Sequence, residues 1–146
     1  MVVVSENLFI TNCTFESNYA GNFGGAIHVK DTDLVVESCL FKQNIAAERG
    51  GDVSIRYMHI DGVYIRDSEF YGSTAPNGGS IYFIDVDYSI ATNITIDSAS
   101  GSEGGRMVFD KAAYCEVQSS VIRNSNAAVF GGGLRYCHTR RNLTWK

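Results

Sequence analysis

Proline is almost missing from this chain of 146 residues. Pro76 is the single one against 15 glycines, and it stands in a loop ahead of a glycine pair, where it breaks no strand ladder. Long apolar runs are missing too. No stretch of 18 apolar residues occurs, and Met1-Val2-Val3-Val4 gives way at once to Ser5-Glu6-Asn7, which excludes a membrane-spanning helix and a secretory signal within this segment. Clustered positive charge is absent. The net charge is −4 and no basic cluster is longer than Arg140-Arg141, so nucleic acid and anionic membrane find no electrostatic footprint. The cysteines, Cys13, Cys39, Cys115 and Cys137, lack the short spacing of a zinc site. No metal, cofactor or catalytic constellation is expected.

What is present is a repeat. Glycine pairs fall at Gly24-Gly25, Gly50-Gly51, Gly78-Gly79, Gly104-Gly105 and Gly131-Gly132, spaced by 26, 28, 26 and 27 residues. One residue after each pair comes an apolar, any, apolar triplet: Ile27/Val29, Val53/Ile55, Ile81/Phe83, Met107/Phe109 and Leu134/Tyr136. That period of two marks a strand with one inward face. A second short strand precedes each pair, with Phe15, Phe41, Phe70, Ile96 and Ile122 inward beside Cys13, Cys39, Ser68, Ile94 and Ser120. Further back, Leu8/Ile10, Leu34/Val36, Val63/Ile65, Ser89/Ala91 and Cys115/Val117 make a third.

Between the Ile10 and Cys13 columns the inward parity slips by one residue, which a continuous strand cannot do, so the chain turns a corner at Asn12, Ser38, Asp67, Asn93 and Ser119. The glycine pairs suit a second corner, where a positive φ or a close neighbouring coil excludes a Cβ. A third lies around Asp31 to Asp33 and Asp85 to Asp87. Three strands and three corners in about 26 residues close one coil of a solenoid whose strands pair with those of the coils before and after. The pattern predicts an all-β parallel β-helix of about five coils. It forms a single domain over 1–146, read here as a segment of a longer chain.

FESN at Phe15 to Asn18, FKQN at Phe41 to Asn44 and GGAI at Gly24 to Ile27 carry a family signature, alternating at one period. The chain resembles the chlamydial polymorphic outer-membrane proteins, with their FxxN and GGA(I/L/V) motifs. FYGS at Phe70, GGDV at Gly50, GGSI at Gly78 and GGGL at Gly131 are degenerate copies. The resemblance implies a right-handed, pectin-lyase-like β-helix displayed outside the cell as an adhesin-like passenger, with signal and anchor outside this segment.

Cys13 and Cys39 share a column one coil apart, at a spacing that permits a disulfide; small inward residues that merely stack are the competing reading. Cys115 and Cys137 lie in different strands of one coil. Asn12, Asn93 and Asn142 head N-glycosylation sequons, Asn142 being the freest of the three because Asn12 and Asn93 belong to the polar corner column. His28, His59 and His138 fall in different columns and read as solvent-facing. Asp31/Asp33 and Asp85/Asp87 resemble the clustered aspartates of pectate-lyase-like enzymes, but two coils separate them with only Asp61 expected between, and turns favour Asp for ordinary reasons.

One column departs from a freely solvated rod. Phe9, Val35, Tyr64 and Ile90 point outward between inward residues, ending at Glu116, so this strand is apolar on both faces in four coils. The strand after the glycine pairs, by contrast, is expected to show water its outward His28, Ser54 and Arg135. The apolar stripe predicts contact with a protein partner or neighbouring domain, with carbohydrate as a second class of ligand. The expectation is a non-enzymatic structural or adhesin-like module of a cell-surface or extracellular assembly. The alternative is a carbohydrate-active β-helix enzyme.

Overall fold

A computed structural model describes residues 7–58, 62–137 and 143–145. Among them there are only short strands, and the strand pairings are parallel. The first sheet stacks Asn7–Thr11, Asp33–Glu37, Val63–Arg66, Tyr88–Thr92, Tyr114–Gln118 and Leu143–Trp145 in that order. The second stacks Thr14–Glu16, Leu40–Lys42, Glu69–Tyr71, Thr95–Asp97 and Val121–Arg123; the third stacks Ile27–Lys30, Val53–Met58, Ile81–Val86, Met107–Asp110 and Leu134–Cys137. Each sheet takes one strand from every successive coil. The result is a parallel β-solenoid of about five turns.

The pairing register matches the repeat alignment position by position. Ile27, Val53, Ile81, Met107 and Leu134 are direct neighbours in one ladder, and Phe15, Phe41, Phe70, Ile96 and Ile122 in another. Inward residues of all three sheets merge into one core along the axis. Phe15, Phe41 and Phe70 stack ring on ring at centroid separations of 5.0 and 4.7 Å, with Phe41 and Phe70 fully buried. Phe83 and Phe109 form a second stack at 4.7 Å. In-register stacking is what a 4.7–4.9 Å coil rise dictates for identical aromatic columns.

The corners are left-handed backbone positions. Asn12, Ser38, Asp67, Asn93 and Ser119 have φ between 47° and 53°. Asn, Asp and Ser tolerate this region because a short polar side chain can bond locally. Asp31, Tyr57, Asp85 and Lys111 form a further left-handed column, with φ from 53° to 60°. Within the glycine pairs the two residues do different work. Gly24, Gly50 and Gly78 adopt φ near +60°, whereas Gly25 and Gly51 lie against the backbone of the next coil. A Cβ on Gly51 would strike the carbonyl oxygen of Gly79 and come within 2.7 Å of Thr74 N.

Two features go beyond the expected three strands per coil. The segment between the second sheet and the glycine pair also pairs from coil to coil, through Tyr19–Ala20 with Ile45–Ala46, bridges Ile45 to Thr74 to Ser100, and Ser100–Gly101 with Asn126–Ala127. The third sheet corrects the expectation that His28, Ser54 and Arg135 face water: its outer face is not open. Ser54 is fully buried, Tyr82 and Val108 join Ile84 in a separate apolar cluster, and His28 is half-buried against Phe23 at 5.5 Å. The cover comes from the loop ahead of each glycine pair. Arg49 lies over both Phe23 and Tyr82, Arg56 over Phe23, and Arg135 over Phe130. Burial holds the His28 imidazole pKa below its ordinary value.

Candidate functional site

With one outer face covered by loops, the outward face of the first sheet carries a continuous apolar column, while other exposed apolar side chains, Tyr19, Ile45, Val121, Val129 and Phe130, lie off that face. Phe9, Val35, Tyr64, Ile90 and Glu116 are successive partners in one ladder, as the repeat alignment requires. Phe9 is 68% exposed, while Val35, Tyr64 and Ile90 shield one another and are half-buried. The stripe is wider than the sequence pattern indicates. In the neighbouring outward column Tyr88 and Tyr114 stack with centroids 4.9 Å apart, and Tyr64 tilts onto Tyr88 at 6.0 Å.

Gly62, one coil before Tyr88, makes the room. Its φ is +107°, and a Cβ there would come within 2.9 Å of the Tyr88 ring. At the far end Glu116 is only 6% exposed; it accepts hydrogen bonds from Tyr114 Oη at 3.3 Å and from Gln118 Nε2. On the flank Arg66 donates to Glu37 at 3.1 Å, an exposed pair worth little to stability. The acidic and basic side chains pointing outward from these strands are Asp33, Glu37, Arg66 and Glu116, of which Glu37 pairs with Arg66 and Glu116 is nearly buried.

The other candidates are dispersed. Cys13 and Cys39 stand one coil apart with free thiols that donate to backbone carbonyls, Cys13 to Thr11 O at 3.2 Å and Cys39 to Glu37 O at 3.3 Å. Cys13 is exposed in the outermost described coil, whereas burial pushes the Cys39 thiol pKa up. Cys115, also free, is buried and accepts from Ser89 Oγ at 3.2 Å; Cys137 is half-buried. Asn12 and Asn93 are exposed at their corners, with Asn93 Nδ2 donating to Asp67 at 2.7 Å. Asn142, His59, His138 and Asp61 lie outside the described residues.

Asp31 and Asp85 occupy one left-handed corner column with Tyr57 between them. Asp33 accepts from Gly62 N at 3.1 Å and so fixes a turn. Among the described residues no group of three or more His, Cys, Asp or Glu is placed to hold a metal ion. No helix long and apolar enough to cross a membrane is present among them.

The interior holds residues that the period-two reading passes over. Between each glycine pair and the following triplet sits an inward column, Ala26, Asp52, Ser80, Arg106 and Gly133, and both Asp52 and Arg106 are fully buried. The Asn of FxxN reaches the same region: Asn44 accepts from Asn18 Nδ2 at 2.9 Å and donates to Phe15 O at 3.1 Å and to Asp52 Oδ1 at 2.8 Å. The motif asparagine therefore ties a corner to the coil below and to the glycine turn of its own coil.

Comparison with curated proteins and with solved structures returns no match. Residues 12–30, the stretch that holds both FESN and GGAI, match the Chlamydia polymorphic membrane protein repeat, and the strands of that stretch pair in register with those of the following coil.

Proposed function

We propose that this chain is a non-catalytic, adhesin-like β-solenoid of a surface or outer-membrane protein, which touches a protein partner through the outward face of its first sheet. The repeat match supports the surface setting. The contiguous run of Phe9, Val35, Tyr64, Ile90, Tyr88 and Tyr114 carries the assignment of the face. A sheet exposed to water on its outer side is ordinarily polar there, so this run needs a cause.

The geometry also bounds the contact. Six strands at about 4.8 Å by five residues at about 3.3 Å give a face of roughly 480 Å², little more than half of the ~800 Å² that one partner buries in a standard interface. A single module thus binds weakly, and adhesion comes from many copies engaged together. Of the aspartates that suggest an enzyme, Asp31 and Asp85 stand at left-handed corners with Tyr57 between them, and Asp33 is engaged with the Gly62 amide.

Beads coated with the chain are expected to adhere to cultured cells. Val35→Asp with Ile90→Asp should cut that adhesion at least tenfold while circular dichroism and melting stay unchanged. Protease treatment of the cells should remove it and glycosidase treatment should not. Adhesion that survives the double substitution, or that glycosidase abolishes, refutes the assigned face or partner class. Incubation with pectin or polygalacturonate, with and without Ca²⁺, is expected to yield no product; product lost on Asp85→Ala would establish the enzyme instead.

A further inference from the structure

Asp52 is a carboxyl with no access to water, held between two turns of the solenoid. Its Oδ1 accepts from Asn44 Nδ2 at 2.8 Å and from Ser73 Oγ at 2.6 Å, and Ser73 Oγ in turn accepts from Asn44 N at 3.3 Å. Asn44 belongs to the same coil as Asp52 and Ser73 to the next, so one carboxyl joins a corner, a glycine turn and the neighbouring coil. Its Oδ2 makes no well-formed hydrogen bond; Ser80 Oγ, in the next position of the same column, faces it and can donate to it when it is charged.

The side chains that bond to it or adjoin it in its column are neutral. Ala26 lies below in the column, Ser80 above, and Asn44 and Ser73 alongside; the nearest cation of the column, Arg106, stands beyond Ser80 with its NH1 turned to the carbonyls of Ile96 and Arg123. An ionised carboxylate here has hydrogen bonds but no counter-charge, the costly case for a buried charge. A proton on Oδ2 removes the charge and supplies a donor for the Ser80 hydroxyl.

We propose that Asp52, Asn44 and Ser73 form a proton-operated clasp between the second and third coils, closed when the carboxyl is neutral and loosened when it ionises. Burial pushes the Asp52 pKa up to about 7, against the hydrogen bonds from Ser73, Asn44 and Ser80 that favour the charged form. The sign follows from the raised value. The carboxyl's contribution to closure is full below the unfolded pKa of 3.8, falls as pH rises, and is lost above about 7. Neither motif asparagine nor glycine pair alone has this property, since Ala26 holds the equivalent position in the first coil. The clasp is specific to the coil where GGA has become GGD.

Hydrogen exchange over residues 44–53, corrected for the intrinsic pH dependence of amide exchange, reads the opening directly. From the two pKa values the opening equilibrium should be about thirtyfold larger at pH 8 than at pH 5.5, while peptides of the fourth coil stay constant. Asp52→Asn should abolish the pH dependence; if that variant does not fold, Asp52→Ser, which copies the Ser80 position, serves the same purpose. Ser73→Ala removes a donor to the carboxylate and should move the midpoint to higher pH, a shift that a fixed structural hydrogen bond would not give. Corrected exchange that is flat between pH 5.5 and 8, or a pH dependence that persists without Asp52, overturns the proposal.

Discussion

Replacing Phe41 by Ala should destabilise the solenoid by about 3–5 kcal/mol, the cost of an unfilled cavity in a packed core. Phe41 is the middle ring of three, fully buried, with Phe15 at 5.0 Å on one side and Phe70 at 4.7 Å on the other. Its removal takes away two ring contacts as well as its own burial. The strands around it are held in register by their neighbours and cannot collapse into the space. Chemical denaturation should show the loss as a fall in midpoint. Phe15→Ala, at the half-buried end of the stack, should cost markedly less, and equal losses at the two sites would mean that the stack is not the continuous core described.

Gly51→Ala is expected to be as damaging through the opposite fault. A methyl group there meets the Gly79 carbonyl oxygen and lies 2.7 Å from Thr74 N, both backbone atoms of the next coil, so the coils must separate to admit it. Overpacking of this kind costs about 1–3 kcal/mol in an adaptable core; here the obstacle is a hydrogen-bonded backbone, and the loss should reach or exceed the top of that range. Gly21→Ala is the control. A Cβ on Gly21 would have nothing within 4 Å and its φ is not positive, so the variant's melting temperature should stay at the parent value. A drop at Gly21 comparable to that at Gly51 would show that glycine matters here through chain entropy rather than close approach.

The core was legible in the sequence because a solenoid writes the same physical constraint once per coil. Ile27 and Leu134 lie 107 residues apart and yet share a ladder, a placement that follows from counting glycine pairs. Polar corners and both roles of the glycine pair follow from the same count. The cover of the third sheet was not legible. Phe23, Arg49, Asn77 and Gly104 bridge one another across the coils, but they differ in chemistry at each turn, so no column announces them. A period-two reading also assigns His28 and Ser54 to the outside and is correct about direction. It cannot know that a loop lies over them.

The candidate face was half legible. Phe9, Val35, Tyr64 and Ile90 stand where parity puts them, whereas Tyr88 and Tyr114 fall in a column whose other members are Asn7, Asp33 and Gly62, and only the ring stacking links them to the stripe. Asp52 and Arg106 escaped for a related reason. They follow a glycine pair directly, in a position read as part of the turn, and only the pairing of Ala26, Asp52, Ser80 and Arg106 shows it to be an inward column.

The assignment of the first sheet's outer face is tested most directly by hydroxyl-radical footprinting of the protein, free and bound to cells. Tyr64, Tyr88 and Tyr114 should lose labelling on binding, whereas Tyr19, 72% exposed and outside that face, should be labelled equally in both states. Equal labelling of the three tyrosines in both states, or protection of Tyr19 instead, would contradict it.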